Sequence, residues 1–222
     1  MSATPNRLAL FDCDGTLVDS QHDIVEAMNR CFDAVKLTPP DRLQTLSVIG
    51  LSLPEAMARL LPQAEADFHG HLAAQYKLAF QTMRRASGVS EPLYPGIADL
   101  IIGLAREGWM LGVATGKSDR GLNLCLRQHG IFDHFVTLQT ADRHPSKPHP
   151  SMALLAMEEA GAAPETTVMI GDTSYDMEMA ANAGMRGLGV NWGYHSIEEL
   201  LAAGAQAVAV DMDDLKRHIT GS

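Results

Sequence analysis

Two aspartates separated by one residue follow a short apolar run near the start of the chain. In the segment RLALFDCDG, an extended backbone places Asp12 and Asp14 on one side and Cys13 on the other. Carboxylates held this close repel one another unless a cation or a shared proton relieves the repulsion. The pair therefore predicts either a divalent-metal site or a nucleophile beside a protonated acid. The competing interpretation is an Asp-Gly turn in which both acids are solvated.

Polar residues also follow two other apolar runs. Gly171 and Asp172 end one run, and Asp176 comes four residues later in GDTSYD. Clustered carboxylates suit Mg2+, which binds one or two of them together with water and phosphate oxygens. Thr115 and Gly116 end the run WMLGVAT, where a hydroxyl and the N–H groups entering a helix can hold a phosphate oxygen. Taken alone, each segment is also typical of a helix N-cap.

Two lysines are candidates for a fixed positive charge. Lys147 lies in HPSKPHP, whose prolines stiffen the loop and so can hold an ammonium in place. Lys117 follows the Thr-Gly pair and either contacts a bound phosphate or is solvated. His144 and His149 flank Lys147, but no third ligand lies at zinc spacing. We therefore expect these histidines to support the loop or the residues around the site, not to bind a metal.

The apolar patterns predict an α/β fold with an inserted all-helical domain. After turn signals at Ser87-Gly88, Pro92 and Pro95-Gly96, helices and strands alternate, which indicates a Rossmann-like, mostly parallel sheet covered on both faces. Residues 20–86 show helical spacing instead, with Asp19 or Ser20 as the first N-cap and a break at Pro39-Pro40. The predicted strands are 7–13, 109–115, 136–139, 167–170, 187–191 and 207–210. The predicted helices after the first are 54–61, 64–86, 97–107, 119–129, 151–160, 175–183 and 197–203.

The first strand must join the later sheet, because alone it buries nothing. We therefore expect an α/β core formed by residues 1–17 and 93–222 and a helical cap formed by residues 18–92, with hinges at the two seams. In such sheets ligands bind beyond the carboxyl ends of the strands, where the strand order reverses. That rule brings together DCDGT, ATGKS, HPSKPHP and GDTSYD. Together they offer the carboxylates, hydroxyl and ammonium that phosphoryl transfer through an aspartyl-phosphate needs.

These segments resemble a known enzyme family. DCDGTLVDS, ATGKS, KPHP and GDTSYDMEMA are similar, in order and spacing, to the four motifs of the haloacid dehalogenase superfamily. The resemblance spans nearly the whole chain and is greatest to phosphoglycolate-phosphatase-like members with a helical cap inserted after the first motif. It implies a Mg2+-dependent hydrolase of a small phosphomonoester. The second Asp of the DxD pair argues against the dehalogenase branch, whose members lack that acid/base.

The resemblance also implies residue roles. Asp12 would be the nucleophile and Asp14 the general acid/base, while Thr115 and Lys147 would bind the phosphoryl group. The Mg2+ ligands would be Asp12, Asp172 and the backbone carbonyl of Asp14. Asp176 corresponds to the family's additional acidic position, either a ligand or a support for one. The remaining candidates for substrate contact are Gly116, through its backbone, Lys117, and the cap residues Gly50 and Leu51.

Three alternatives to a phosphomonoesterase remain. A phosphosugar mutase similar to the β-phosphoglucomutases would carry a basic residue in a cap loop after a glycine, whereas residues 49–53 here read IGLSL. A phosphonate hydrolase would need a Schiff-base lysine from the cap, where only Lys36 and Lys77 are available. A non-catalytic protein that binds a phosphorylated ligand would be expected to have lost a key side chain, and none is missing.

Composition excludes several other classes. The 222 residues carry a formal net charge of −10, so a general nucleic-acid or anionic-membrane binder is not expected. No segment approaches the roughly 18 apolar residues of a membrane span, and the N-terminal residues, with only a four-residue apolar run before Asp12, are not expected to be a signal peptide. Three widely spaced cysteines, Cys13, Cys31 and Cys125, indicate reduced thiols and hence a cytoplasmic protein. The expected partner is a small phosphorylated metabolite, and the oligomeric state is not predicted.

Overall fold

Six strands form the sheet at the centre of the fold. The structure is a computed structural model that describes residues 5–86 and 91–221. Its strands are β1 (Asn6–Phe11), β2 (Met110–Thr115), β3 (Thr137–Thr140), β4 (Ala162–Gly171), β5 (Arg186–Val190) and β6 (Ala207–Ala209). They pair in the order β3-β2-β1-β4-β5-β6, and every described pairing is parallel. The expected α/β fold is confirmed.

Within residues 5–86 and 91–221, ten α-helices surround and extend this sheet. They are α1 (Gln21–Ala34), α2 (Arg42–Leu46), α3 (Leu53–Leu60), α4 (Ala66–Ala86), α5 (Ile97–Arg106), α6 (Asp119–Gln128), α7 (Ser151–Ala160), α8 (Ser174–Asn182), α9 (Ile197–Ala202) and α10 (Met212–Thr220). Over the described residues, no helix combines the length and apolar character that crossing a bilayer demands.

Three elements differ from the sequence prediction. The sequence did not predict α2, a five-residue helix that begins with a capping box between Asp41 and Gln44. It also did not predict α10, which begins at Asp211 and buries Leu215 and Ile219. Strand β4 begins at Ala162, five residues earlier than expected. Helix α2 has only five residues, and the first five residues of β4 are not buried, so neither leaves a clear apolar pattern in the sequence.

The sheet is buried because its strands alternate side chains between two helical layers. Ala9 and Phe11 of β1 pack in a cluster with residues of α5, α6 and α10. Leu8 and Leu10 point to the opposite face and pack with residues of α7 and α8. Cys13 lies in the first cluster and is fully buried, as its alternation with the two aspartates predicts.

Helices α1 to α4 form a separate layer with its own apolar cluster. Its buried members include Met28 and Phe32 of α1, Met57 of α3 and Leu72 of α4. The chain enters and leaves this layer through two segments that pair with each other: the Asp19 N–H donates to the Pro92 carbonyl (2.8 Å), and the Tyr94 N–H donates to the Leu17 carbonyl (3.0 Å). The predicted hinge at Ser87-Gly88 lies outside the described residues.

Candidate active site

The strand order reverses between β1 and β4, and an aspartate follows each of these strands. Asp12 comes directly after β1, and its N–H donates to the Ile170 carbonyl of β4 at 2.8 Å. Asp172 comes directly after β4. In open parallel sheets this switch point is where the crevice for a ligand forms. The segments predicted to converge do so here.

Three buried carboxylates lie side by side at this point. Asp12, Asp172 and Asp176 are fully buried, and each offers a carboxylate oxygen within 4.8 Å of the others. The Lys147 ammonium lies 3.0 Å from Asp12 Oδ1 and 2.6 Å from Asp176 Oδ1. One ammonium cannot neutralise three carboxylates, so the group retains negative charge that favours a further cation or a proton.

The pKa values of the cluster show this imbalance. Burial raises the pKa of Asp12 to about 7, with Asp176 and Asp14 adding to the shift and Lys147 opposing it. Burial, followed by Asp12 and Asp176, holds the pKa of Asp172 well above its usual range. Asp12 Oδ2 is buried and accepts no hydrogen bond from the part of the chain that the structure describes. An unpaired, all-oxygen donor set of this kind fits a hard divalent cation such as Mg2+.

Hydrogen bonds fix the remaining oxygens of the cluster. The Thr16 hydroxyl donates to Asp172 Oδ1 at 2.7 Å, and the Tyr194 N–H donates to Asp172 Oδ2 at 3.1 Å. Asp176 Oδ2 accepts from the hydroxyl and the N–H of Thr173. Asp176 therefore forms a capping box with Thr173, the N-cap residue of α8, in agreement with the N-cap interpretation of GDTSYD. The same side chain also contacts Lys147. The sequence did not identify Thr16, Thr173 or Tyr194.

Gly15 makes room for Asp172. Its φ is +83°, in the left-handed region that favours glycine, and a Cβ atom there would lie 2.1 Å from Asp172 Oδ2. No side chain fits between the two segments. The Asp-Gly dipeptide therefore forms a turn, but both aspartates beside it are buried, so the interpretation of a solvated turn is wrong.

Asp14 belongs to a different set of contacts, on the side facing the helical layer. The Ser20 hydroxyl donates to Asp14 Oδ1 and lies 3.2 Å from the Tyr194 hydroxyl. Ser20 occupies the N-cap position of α1 as expected, yet its side chain does not cap the helix. Instead it holds Asp14.

Lys117 approaches Asp14 from the core. Its ammonium lies 2.8 Å from Asp14 Oδ1 and 2.5 Å from Glu91 Oε1, and the side chain is only 10% exposed. Glu91 also accepts a bond of 2.9 Å from Arg84 of α4. Burial acts to lower the pKa of Lys117, but Asp14 and Glu91 outweigh it and raise that pKa, so the group is an ammonium. The solvated alternative for Lys117 is wrong, and Glu91 is a site residue that the sequence did not reveal.

Thr115 and Gly116 lie where the helical layer contacts the core. Thr115 is 1% exposed, and its hydroxyl accepts from the Lys117 N–H at 3.2 Å. A Cβ atom on Gly116 would lie 2.5 Å from the Leu51 carbonyl oxygen and 3.0 Å from that of Gly50. The cap residues proposed for substrate contact are therefore brought against the strand-end residues.

The loop that carries Gly50 and Leu51 is docked on the core. The Ser52 N–H donates to the Ser146 hydroxyl at 2.8 Å, and the Tyr175 hydroxyl donates to the Ser47 carbonyl at 2.9 Å. Leu51 is 7% exposed and packs in a cluster with Tyr175. These contacts hold the loop over the site without a basic residue in it.

The other candidates lie outside the carboxylate cluster. His144 bonds with the Ser151 hydroxyl and the Gln139 side chain, and His149 accepts from the Ser151 N–H. Both histidines therefore hold the loop around Lys147, as expected. Lys77 lines the cavity above the site but is 53% exposed and lies 4.0 Å from Asp142.

Comparison with known proteins decides the family. The model of the haloacid dehalogenase-like hydrolases matches residues 9–190. The chain belongs to this family. It is 37% identical over 206 residues to the probable phosphatase IndB of Dickeya dadantii. The aligned region covers 90% of this chain and 88% of that relative. It is also 30% identical over 214 residues to the phosphoglycolate phosphatase of Vibrio vulnificus, and that aligned region covers 94% of both chains.

Solved structures agree with this assignment. A hydrolase from Pseudomonas syringae is 25% identical and superimposes with a TM-score of 0.85, covering 97% of this chain and 99% of the other. The expected resemblance to this family, and within it to relatives named phosphoglycolate phosphatase, is confirmed. So is the expectation of an enzyme of the hydrolase class whose relatives are phosphatases.

Proposed function

We propose that this haloacid dehalogenase-like hydrolase is a Mg2+-dependent phosphatase that hydrolyses a small phosphomonoester through an aspartyl-phosphate. The observation that carries the proposal is Asp12: a buried carboxylate with one unpaired oxygen, 3.0 Å from the Lys147 ammonium, at the switch point of the sheet. A carboxylate in this setting can act as a nucleophile toward phosphorus. The names of the relatives, which are phosphatases, support the reaction class.

In the first step Asp12 Oδ2 attacks the phosphorus, and the bond from phosphorus to the leaving-group oxygen breaks. Asp14 gives a proton to that oxygen, so an alcohol leaves and Asp12 carries the phosphoryl group. In the second step Asp14 takes a proton from water, the water oxygen attacks phosphorus, and the Asp12 carboxylate is released with phosphate. The Thr115 hydroxyl, the Gly116 N–H and Lys147 would bind the phosphoryl oxygens in both steps.

The donor set fits Mg2+, and we propose Asp12, Asp172 and the Asp14 carbonyl as its ligands in the protein. Asp176, which bonds Lys147 and Thr173, either binds the ion or holds the groups that do. When bound, the ion would neutralise charge on the carboxylates and on the phosphoryl oxygens. Thr16 and the Tyr194 N–H would keep Asp172 oriented toward it.

The substrate is proposed to be a small phosphorylated metabolite, and the relatives named phosphoglycolate phosphatase make phosphoglycolate one candidate to test. The mutase alternative is disfavoured because the cap loop at Gly50 and Leu51, which contacts Gly116, carries no basic residue for a second phosphate. We further propose that residues 18–92 form the cap and residues 1–17 with 93–222 the core, because the two connecting segments pair at Val18 and Leu93. A cytoplasmic location is proposed from the three free, buried cysteines.

Hydrolysis of a chromogenic phosphomonoester tests this function. The expected result is phosphate release that requires Mg2+, stops in chelator and is lost in Asp12→Asn. The exposed Asp133→Asn is the matched control and should retain full activity. No hydrolysis by the wild-type protein with Mg2+ would favour the non-catalytic binding protein. Isomerisation of a sugar phosphate without phosphate release would favour the mutase.

A further inference from the structure

The cavity above Asp12 and Asp14 has a polar floor and apolar walls. Asp12, Asp14, Thr115 and Lys117 line it on the core side. The helical layer supplies the walls through Ile24, Met28, Val48, Ile49, Tyr76 and Phe80. A phosphoryl group at the floor would therefore direct its leaving group between apolar side chains.

The volume of the cavity sets the size of that leaving group. The cavity measures about 260 Å³. This volume extends to exposed side chains at the opening, among them Lys77 and Arg120, so it is an upper limit on the space for the substrate. A cavity of about 150 Å³ accommodates a benzene ring. The space is thus sufficient for a phosphate ester whose leaving group contains one ring, and it is larger than a two-carbon leaving group would fill.

The charges around the floor disfavour a leaving group that is itself an anion. Lys117 is paired with Asp14 and Glu91, and Arg84 is paired with the same Glu91. The other cations that line the cavity, Lys77, Arg85 and Arg120, are exposed to solvent. A carboxylate near the floor would be desolvated between apolar walls without a free cation from the described residues, which costs free energy.

Tyr76 brings a hydroxyl to the apolar walls of the cavity. Tyr76 of α4 is 9% exposed, and its ring stacks on Phe80 with centroids 6.0 Å apart. Its hydroxyl forms no hydrogen bond with another described residue, and it is not among the fully buried unpaired atoms, so it is free to bond a group inside the cavity. Burial and then Asp14 raise the pKa of Tyr76, so its hydroxyl keeps its proton and is a donor.

We propose that the leaving group of the substrate is uncharged and ring-sized, and that the Tyr76 hydroxyl donates a hydrogen bond to an oxygen or nitrogen acceptor on it. This inference rests on the proposed phosphatase function and specifies the substrate class for that site. Tyr76 is then a specificity-determining residue of the cap. A two-carbon acid phosphate is a poor substrate.

Matched esters test the inference on the full chain with Mg2+. The probes are benzyl phosphate, the three pyridylmethyl phosphates and phosphoglycolate, with kcat/KM measured at a pH where pyridine is uncharged. Pyridine differs from benzene by one acceptor at nearly the same shape. The variants are Tyr76→Phe, which removes only the hydroxyl, and Phe80→Leu, which removes ring surface and leaves the hydroxyl in place.

We expect benzyl phosphate to exceed phosphoglycolate by at least about tenfold, and at least one pyridylmethyl isomer to exceed benzyl phosphate. Tyr76→Phe should lose about 3- to 10-fold on that isomer, the value of one hydrogen bond, and stay within about twofold on benzyl phosphate. Phe80→Leu should lower all ring esters alike.

Two outcomes overturn the inference while leaving the phosphatase function intact. One is a preference for phosphoglycolate over every ring ester. The other is a Tyr76→Phe variant that affects benzyl and pyridylmethyl phosphates equally. If no ester of the panel is hydrolysed, the proposed function fails and the inference fails with it.

Discussion

Replacing Lys147 with methionine removes the single ammonium from the carboxylate cluster with little change in side-chain volume. Lys147 is 1% exposed and bonds both Asp12 and Asp176. Breaking a buried ion pair by removing one partner leaves a buried charge without compensation and costs about 3–5 kcal/mol. We expect Lys147→Met to lower the free energy of unfolding of the metal-free protein by this amount at pH 8.

The loss should depend on pH with a defined sign. Asp12 has a folded-state pKa of about 7 against 3.8 in the unfolded chain. The folded state therefore binds this proton more tightly, so the contribution of Asp12 to stability is largest below about pH 4 and falls as the pH rises toward 7. Because Lys147 lowers the pKa of Asp12, its removal extends this fall to higher pH. The difference between variant and wild type should be smaller at pH 5 than at pH 8.

Urea unfolding in chelator at the two pH values measures both effects. The control is Lys216→Met, which breaks the pair with Glu107 in which both side chains are more than 40% exposed. Exposed pairs contribute about 0–1 kcal/mol, so this variant should change little at either pH. Two results would refute the assigned charges of the carboxylate cluster. One is a Lys147→Met variant that is as stable as Lys216→Met at pH 8. The other is a Lys147→Met variant that loses the same free energy of unfolding at both pH values.

Three further outcomes are expected. Asp14→Asn should slow single-turnover phosphorylation by roughly 10²–10⁴-fold for esters with poor leaving groups and less for good ones; equal losses would argue against a general acid. Mg2+ must displace the proton of Asp12, whose pKa is about 7, and any proton on Asp172, whose pKa is also raised. Its apparent affinity by calorimetry should therefore fall by at least about tenfold from pH 8 to pH 6, and a pH-independent affinity would contradict this. Gly15→Ala, whose Cβ would lie 2.1 Å from Asp172, should lose Mg2+-induced thermal stabilisation, whereas Gly130→Ala, with open space around it, should keep it.

The sequence predicted the positions of the strand-end residues because they depend on local pattern and topology. One apolar run is followed by DxD, and a second is followed by Gly171-Asp172. Both patterns place acids at strand ends, and this placement does not depend on the rest of the chain. The parallel order of the strands then brings those ends together. The helical insertion was equally predictable, since apolar residues such as Met28 and Phe32 recur at helical spacing.

The partners of these residues were not predictable in the same way. Glu91 is one acid in a turn region, and only the fold brings it to Lys117 and Arg84. Ser20 looked like a helix cap, because a serine before an apolar helical pattern normally is one, yet its hydroxyl bonds Asp14. Tyr194 reaches the site from the loop after β5, far along the chain. Such contacts depend on tertiary packing and leave no spacing signal.

Tyr76 shows the same limit for specificity. Its position on α4 matches the apolar face of a helix, and it does pack in the apolar cluster of the inserted helices. Only the structure shows that it also lines the cavity above Asp14. The loop at Gly50 and Leu51 was recognised from sequence as a candidate for substrate contact. Leu51 is buried against Tyr175. A basic residue of the kind expected in a mutase, such as an arginine in place of Leu51, would therefore disrupt the docking of the loop.

The central claim is that Asp12 accepts the phosphoryl group. The most direct measurement is mass spectrometry of the protein quenched in acid during turnover of a phosphomonoester with Mg2+, followed by proteolysis and peptide mapping. The account predicts a peptide spanning Asp12 that gains the mass of one phosphoryl group, is absent in Asp12→Asn, and is unchanged in Asp133→Asn. Phosphate release at a rate close to wild type by Asp12→Asn, or a phosphorylated residue elsewhere in the chain, would contradict it.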